Sequence, residues 1–134
     1  MKRLTTVLVI AYALMLCGVG IVGIFTAPWE LTRVFGLDLS PLTPQARATF
    51  LNQYGFLKAL ELGGGLFCLF LHNAILNGGL IGRLFLALVG SGVVARSFAW
   101  IVHGQPTWPF IAFLLLEALV FLSTLLYLRS RRAI

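Results

Sequence analysis

The chain has 134 residues, of which 60% are hydrophobic and only 10% charged, with a mean hydropathy of +0.99 and a net charge of +6. These values exclude an ordinary water-soluble domain, because several apolar runs approach the roughly 20 residues that span a hydrocarbon core. They also give no reason to invoke nucleic acid: six of the ten basic residues flank apolar runs, and no basic face is interleaved with stacking aromatics.

Segments that cross lipid must be helical here, since the bilayer core offers backbone groups no hydrogen bonds. Lys2 and Arg3 precede an apolar stretch from Leu4 to about Thr26. It is too long for a cleaved leader, and its exit at Phe25-Thr26-Ala27, followed by Pro28, has a bulky Phe where a small residue is needed. The stretch reads as a retained first helix over 4–26, broken by Pro28 and Trp29. Leu31, Val34, Phe35 and Leu39 then recur at roughly helical spacing with Glu30, Arg33 and Asp38 between them. That pattern predicts a short amphipathic segment lying at the membrane interface.

Ser40-Pro41-Leu42 forms a turn, and Thr43-Pro44 is an N-cap and first-turn pair for a second helix over 45–76. Asn77-Gly78-Gly79 turns the chain into a third helix over 80–103, with Gly104 placed to end it. Gln105-Pro106-Thr107 leads to a fourth helix over 108–128. The expected fold is all-α: one transmembrane domain over 1–134, with four helices in an antiparallel bundle and short links between neighbours.

Lys2, Arg3, Arg83, Arg129, Arg131 and Arg132 fall on one side with no acid, whereas Arg33 and Arg47 face Glu30 and Asp38 on the other. This bias predicts a multi-pass protein of the inner membrane with both termini in the cytoplasm. Trp29, Trp100 and Trp108 fall near the opposite, outer boundary, where interfacial tryptophans belong.

Four ionisable residues interrupt the apolar runs: Lys58, Glu61, Arg96 and Glu117. At about 1.5 Å of rise per residue, all four lie about 10–16 Å from the outer boundary and so share one layer. Their charges sum to zero. Charges at such depth are costly unless paired, so a mutual network is expected, with Arg96 as the bidentate partner of one carboxylate and Lys58 reaching Glu61 at i,i+3. Two readings compete for this layer. It is a structural network that fixes helix register, or it walls a polar cavity open to the outer side that binds an anionic or amphiphilic ligand or relays protons, with Tyr54, Trp100 and His103 as further lining. A carboxylate pair for acid–base chemistry has no second motif behind it.

His72 reads as a register or interfacial histidine, and nothing in the spacing of His, Cys or carboxylates points to a metal or a cofactor. Cys17 and Cys68 form no CxxC and support neither a disulfide nor thiol redox chemistry. Gly63, Gly64 and Gly65, with the ladder Ala87, Ser91, Ala95 and Ala99, offer close-packing surfaces within or between chains.

Several short motifs add up to a resemblance. Tyr54-Gly55, Glu61 with Gly63, Gly65 and Leu66-Phe67, Gly82-Arg83, Arg96, His103-Gly104-Gln105-Pro106, Glu117 and the basic tail from Arg129 follow one another in order. With Pro28 and Phe35-Gly36-Leu37, they make the chain resemble the small bacterial membrane proteins of the DUF4345 family, a domain of unknown function. It departs from that pattern at Gly55-Phe56, where a glycine pair is expected, and at His103, where an acid is expected. The resemblance implies a four-helix membrane fold, brings no established activity, and makes Glu61, Arg96 and Glu117 part of the family pattern. More distantly the architecture is similar to DoxX-like four-helix proteins, as a likeness of fold alone.

The expectation is therefore a non-enzymatic membrane protein with no catalytic residues. It would be an accessory subunit of a larger membrane complex, or a bundle that binds membrane lipid or another amphiphile. A small proton-coupled transporter acting as a homo-oligomer is the alternative, and a membrane isomerase using the buried carboxylates is a further one.

Overall fold

The computed structural model describes residues 1–132, which form four long helices: α1 (Lys2–Trp29), α2 (Pro44–Asn77), α3 (Gly79–His103) and α4 (Trp108–Arg132). Each is long and apolar enough to cross a bilayer. Their outward surfaces carry large apolar side chains, with Phe25, Phe70 and Ile101 all at least 80% exposed. A surface of that kind is stable against lipid and not against water. The chain is a multi-pass, all-helical membrane protein.

Helix α1 corrects the sequence expectation. Pro28 removes one backbone donor, yet the helix continues through it. The cost is met by a local kink at Thr26 (φ −123°, ψ 23°), whose hydroxyl donates to the Val22 carbonyl at 2.7 Å. Directly after Trp29 the chain widens into a π-helical turn, Glu30–Val34, closed by Phe35 N–H donating to the Glu30 carbonyl at 3.2 Å. The stretch expected at the interface is thus a continuation of α1. The wider turn lets two consecutive residues, Glu30 and Leu31, face inward, and both are buried.

Beyond it, Gly36 takes φ +67°, and Asp38 accepts the Ser40 N–H at 2.9 Å, a bond that holds its carboxyl below the usual range. Thr43 caps α2 by accepting the Ala46 N–H at 3.2 Å, and Pro44 occupies the first position. Gly78 alone separates α2 from α3. Its φ of +84°, followed by +64° at Gly79, is the left-handed backbone that lets two helices meet across one residue. Arg131, near the end of α4, donates to the Leu76 carbonyl at 3.0 Å and so ties that end to the end of α2.

Packing is most extensive between α1 and α2. The reason is glycine. A methyl group on Gly20 would lie 2.7 Å from the Leu62 nitrogen and 2.8 Å from the Lys58 carbonyl; one on Gly65 would lie 2.7 Å from the Ala13 carbonyl. Backbones that close leave no room for Cβ. Gly63, by contrast, faces open space, and Ala87, Ser91, Ala95 and Ala99 of α3 are all exposed. The expected small-residue surfaces therefore divide: Gly65 packs within the chain, and the α3 ladder does not.

Two apolar clusters follow from this arrangement. One gathers Val9, Tyr12, Ala13, Cys68, Ile75, Phe85, Val89 and Val120 from all four helices. The other joins Leu31, Phe35 and Leu39 to Leu51, Tyr54 and Phe110 at the end of the bundle that carries the 36–43 and 104–107 loops. Between the two lie the ionisable residues, Glu30 after α1, Lys58 and Glu61 on α2, Arg96 on α3 and Glu117 on α4.

The glycines give a contrast to test. Gly20→Ala should lower stability in detergent by about 1–3 kcal/mol, since backbone must shift to admit the methyl group. Gly63→Ala should be neutral or slightly stabilising, because the helix gains propensity at no steric cost. Thermal unfolding of the two purified variants measures both.

Candidate functional site: a charged layer walling an apolar cavity

Lys58 is the most deeply buried charge of the layer, 3% exposed, and it bridges two carboxylates. Its Nζ lies 3.2 Å from Glu30 Oε1 and 3.0 Å from Glu61 Oε2. The second contact is an ion pair off the axis of a hydrogen bond, since Glu61 Oε2 has no hydrogen-bond partner. Gly23 makes the first possible: a methyl group there would strike the Lys58 stem and lie 2.7 Å from Glu30 Oε2. The Lys58 ammonium also lies 5.0 Å from the Tyr54 ring centre and 5.9 Å from that of Phe35.

The second pair joins α3 to α4. Arg96 Nε donates to Glu117 Oε2 at 2.9 Å, and Nη2 reaches Oε1 at 3.5 Å, a fork with one short and one long tine. Glu117 is buried beside Gly92, where a methyl group would meet the carboxylate at an ordinary contact distance of 3.5 Å, while the Arg96 side chain remains 31% exposed. The guanidinium lies 5.8 Å from the Phe113 ring and 6.0 Å from Phe110. Phe110 in turn stacks on Phe35 at 4.6 Å between ring centres. The two ion clusters are therefore linked through aromatic faces: Lys58, Phe35, Phe110, Arg96. Each cation gains quadrupole attraction that lipid alone would not supply.

Lys58, Glu61, Arg96 and Glu117 all open onto one cavity of about 450 Å³ between α2, α3 and α4, together with Tyr54. Its wall is mostly apolar and includes Phe35, Phe50 and Phe113. Trp100 and His103 do not line it. They belong to a separate cavity of about 410 Å³ toward the 104–107 loop, which shares only Arg96 and Phe110 with the first. The lining expected around a single outward cavity is thus distributed over two, with Arg96 in the wall between them.

Glu30 is the residue that sequence reasoning places wrongly. Expected on the polar side of an interfacial segment, it is 6% exposed and bound to Lys58. The layer then holds three carboxylates against two cations, a formal excess of one negative charge in place of the neutral sum. One signal in the sequence leads to it. Val9, Tyr12, Ala13, Gly20, Gly23, Ala27 and Glu30 are all buried and follow the helical period straight through Pro28.

Elsewhere, Cys17 and Cys68 are free thiols, and His72 Nδ1 is 2.7 Å from the carbonyl of Leu69 in its own helix. No group of three or more His, Cys, Asp or Glu side chains is placed to hold a metal ion among the described residues. What the layer offers chemically is ion pairing, hydrogen bonding and aromatic faces at the wall of an apolar chamber.

Breaking the Arg96–Glu117 pair should be costly. Arg96→Ala leaves a buried carboxylate unpartnered and should destabilise by about 2–3 kcal/mol, the lower part of the usual range because Arg96 keeps some solvent access. Adding Glu117→Gln to that variant should recover part of the loss, which unfolding of the double variant in detergent checks.

No curated protein and no solved structure matches this chain. The model of one family does, described as Domain of unknown function (DUF4345), over residues 4–128. That span covers nearly the whole chain and the entire charged layer: this protein belongs to the DUF4345 family.

Proposed function

We propose that this protein is a non-enzymatic binder of a membrane amphiphile, held in the cavity between α2, α3 and α4. The observation that carries the reading is the combination of a chamber of about 450 Å³, mostly apolar in its wall, with ionisable side chains on that same wall. Ligand sites are commonly apolar concavities with a few convergent polar groups that fix orientation. A purely structural ion network has no need of an empty space beside it, since void costs packing energy. In this reading the Arg96–Glu117 and Lys58–Glu61 pairs fix helix register and also present polar groups to the bound molecule's head. The protein sits in the inner membrane with both termini cytoplasmic. Loss of Glu30 from the outer loop leaves the six-to-two basic bias between the two sides unchanged.

One observation favours a second reading, the proton-coupled transporter acting as an oligomer. The excess carboxylate gives the layer a group that can take up and release a proton without breaking both ion pairs. The exposed ladder Ala87, Ser91, Ala95 and Ala99 supplies a surface on which a second copy can pack.

Native mass spectrometry of protein extracted in mild detergent separates these readings. The binder should retain one stoichiometric amphiphile. Ala95→Phe, which puts a ring into the cavity from an exposed position on α3, should lose that molecule at unchanged melting temperature. A protein that carries no amphiphile and is always recovered as a dimer supports the transporter.

A further inference from the structure

We infer that the cavity selects a lipophilic cation, an amphiphile or aromatic molecule bearing a fixed or protonated onium group. The inference rests on the amphiphile-binding reading above and names the charge of what is bound.

Three features converge. The first is the charge count: Lys58 and Arg96 face Glu30, Glu61 and Glu117, so the layer is one positive charge short of neutrality. In a low-dielectric site an unbalanced charge is far costlier than in water, and a single cation removes the imbalance. The second is unused bonding capacity. Glu61 Oε2 is buried without a hydrogen-bond partner, and Lys58 must divide itself between Glu30 and Glu61. Glu61 lines the cavity and is 19% exposed, so it is the undercompensated carboxylate that an occupant can reach. The third is aromatic. Phe50, Tyr54, Phe110 and Phe113 line the wall, and Tyr54, Phe110 and Phe113 already hold a cation of the layer within 6.0 Å of their ring centres, so the wall is of the kind that attracts onium groups.

An anionic occupant would raise the excess to two negative charges. A cation brings it to zero.

The test uses two nearly isosteric probes of opposite charge, tetraphenylphosphonium and tetraphenylborate, with the purified full chain in a neutral maltoside detergent. Expected is saturable phosphonium binding to the wild type, with borate binding weaker. Glu30→Gln should weaken phosphonium binding about tenfold or more, although Glu30 does not line the cavity. That remote effect is the signature of charge balance, because a contact-only mechanism leaves it unmoved. A cooperative melting transition and a borate affinity that holds or improves show that the variant is folded. Borate bound as tightly as phosphonium, or phosphonium affinity unaffected by Glu30→Gln, overturns the inference while leaving amphiphile binding intact. No binding of either ion also overturns it, and the retained amphiphile seen by mass spectrometry then decides the broader reading separately.

Discussion

A lysine ammonium that is almost wholly buried in a membrane bundle must find anionic partners, and most of what is distinctive in this structure serves that requirement. Lys58 holds Glu30 on one side and Glu61 on the other. To bring Glu30 there, α1 runs on past Pro28 and widens into a π turn. To let α1 approach, Gly20 and Gly23 remove side chains where the Lys58 backbone and stem must pass. Leu31 and Phe35 are drawn inward by the same turn and close an apolar cluster over the layer. Desolvating an unpaired ammonium costs several kcal/mol, which makes these local departures from regular geometry a small part of the balance.

The layer is also where a chamber opens among three of the helices. Below it, side chains from all four helices form one apolar cluster, and α1 and α2 lie against each other on glycine. At the layer itself, α3 meets α4 through Arg96 and Glu117, and a chamber remains between them and α2. Ion pairs fix the distance and register of helices without filling the space between them. The chamber forgoes packing energy that apolar side chains would supply there, and it gives the bundle a place where something else can bind.

Much of this is legible in the sequence. Four spans follow from apolar run length, and Lys58, Glu61, Arg96 and Glu117 stand out because ionisable residues in such runs are rare. Thr43-Pro44 and Gly78 mark turns through their own backbone chemistry. Glu30 is lost because local and tertiary signals conflict. Pro28, Trp29 and the nearby Arg33 and Asp38 all read as the end of a helix, whereas burial against Lys58 keeps the chain helical beyond them. The division of Tyr54 from Trp100 and His103 between two cavities is equally invisible in one dimension, since it depends on Phe110 and Arg96 standing between them. Charge counting suffers most from such an error, because one misplaced carboxylate changes a neutral layer into one that attracts cations.

Glu30 is a partner of Lys58 inside the bundle and not a surface acid. A double-mutant cycle on Glu30→Gln and Lys58→Met, followed by thermal unfolding in detergent, tests it most directly. A coupling of about 1–3 kcal/mol between the two positions is the predicted result. Effects that simply add would mean the two residues do not meet, and the charged layer would return to four members and zero net charge.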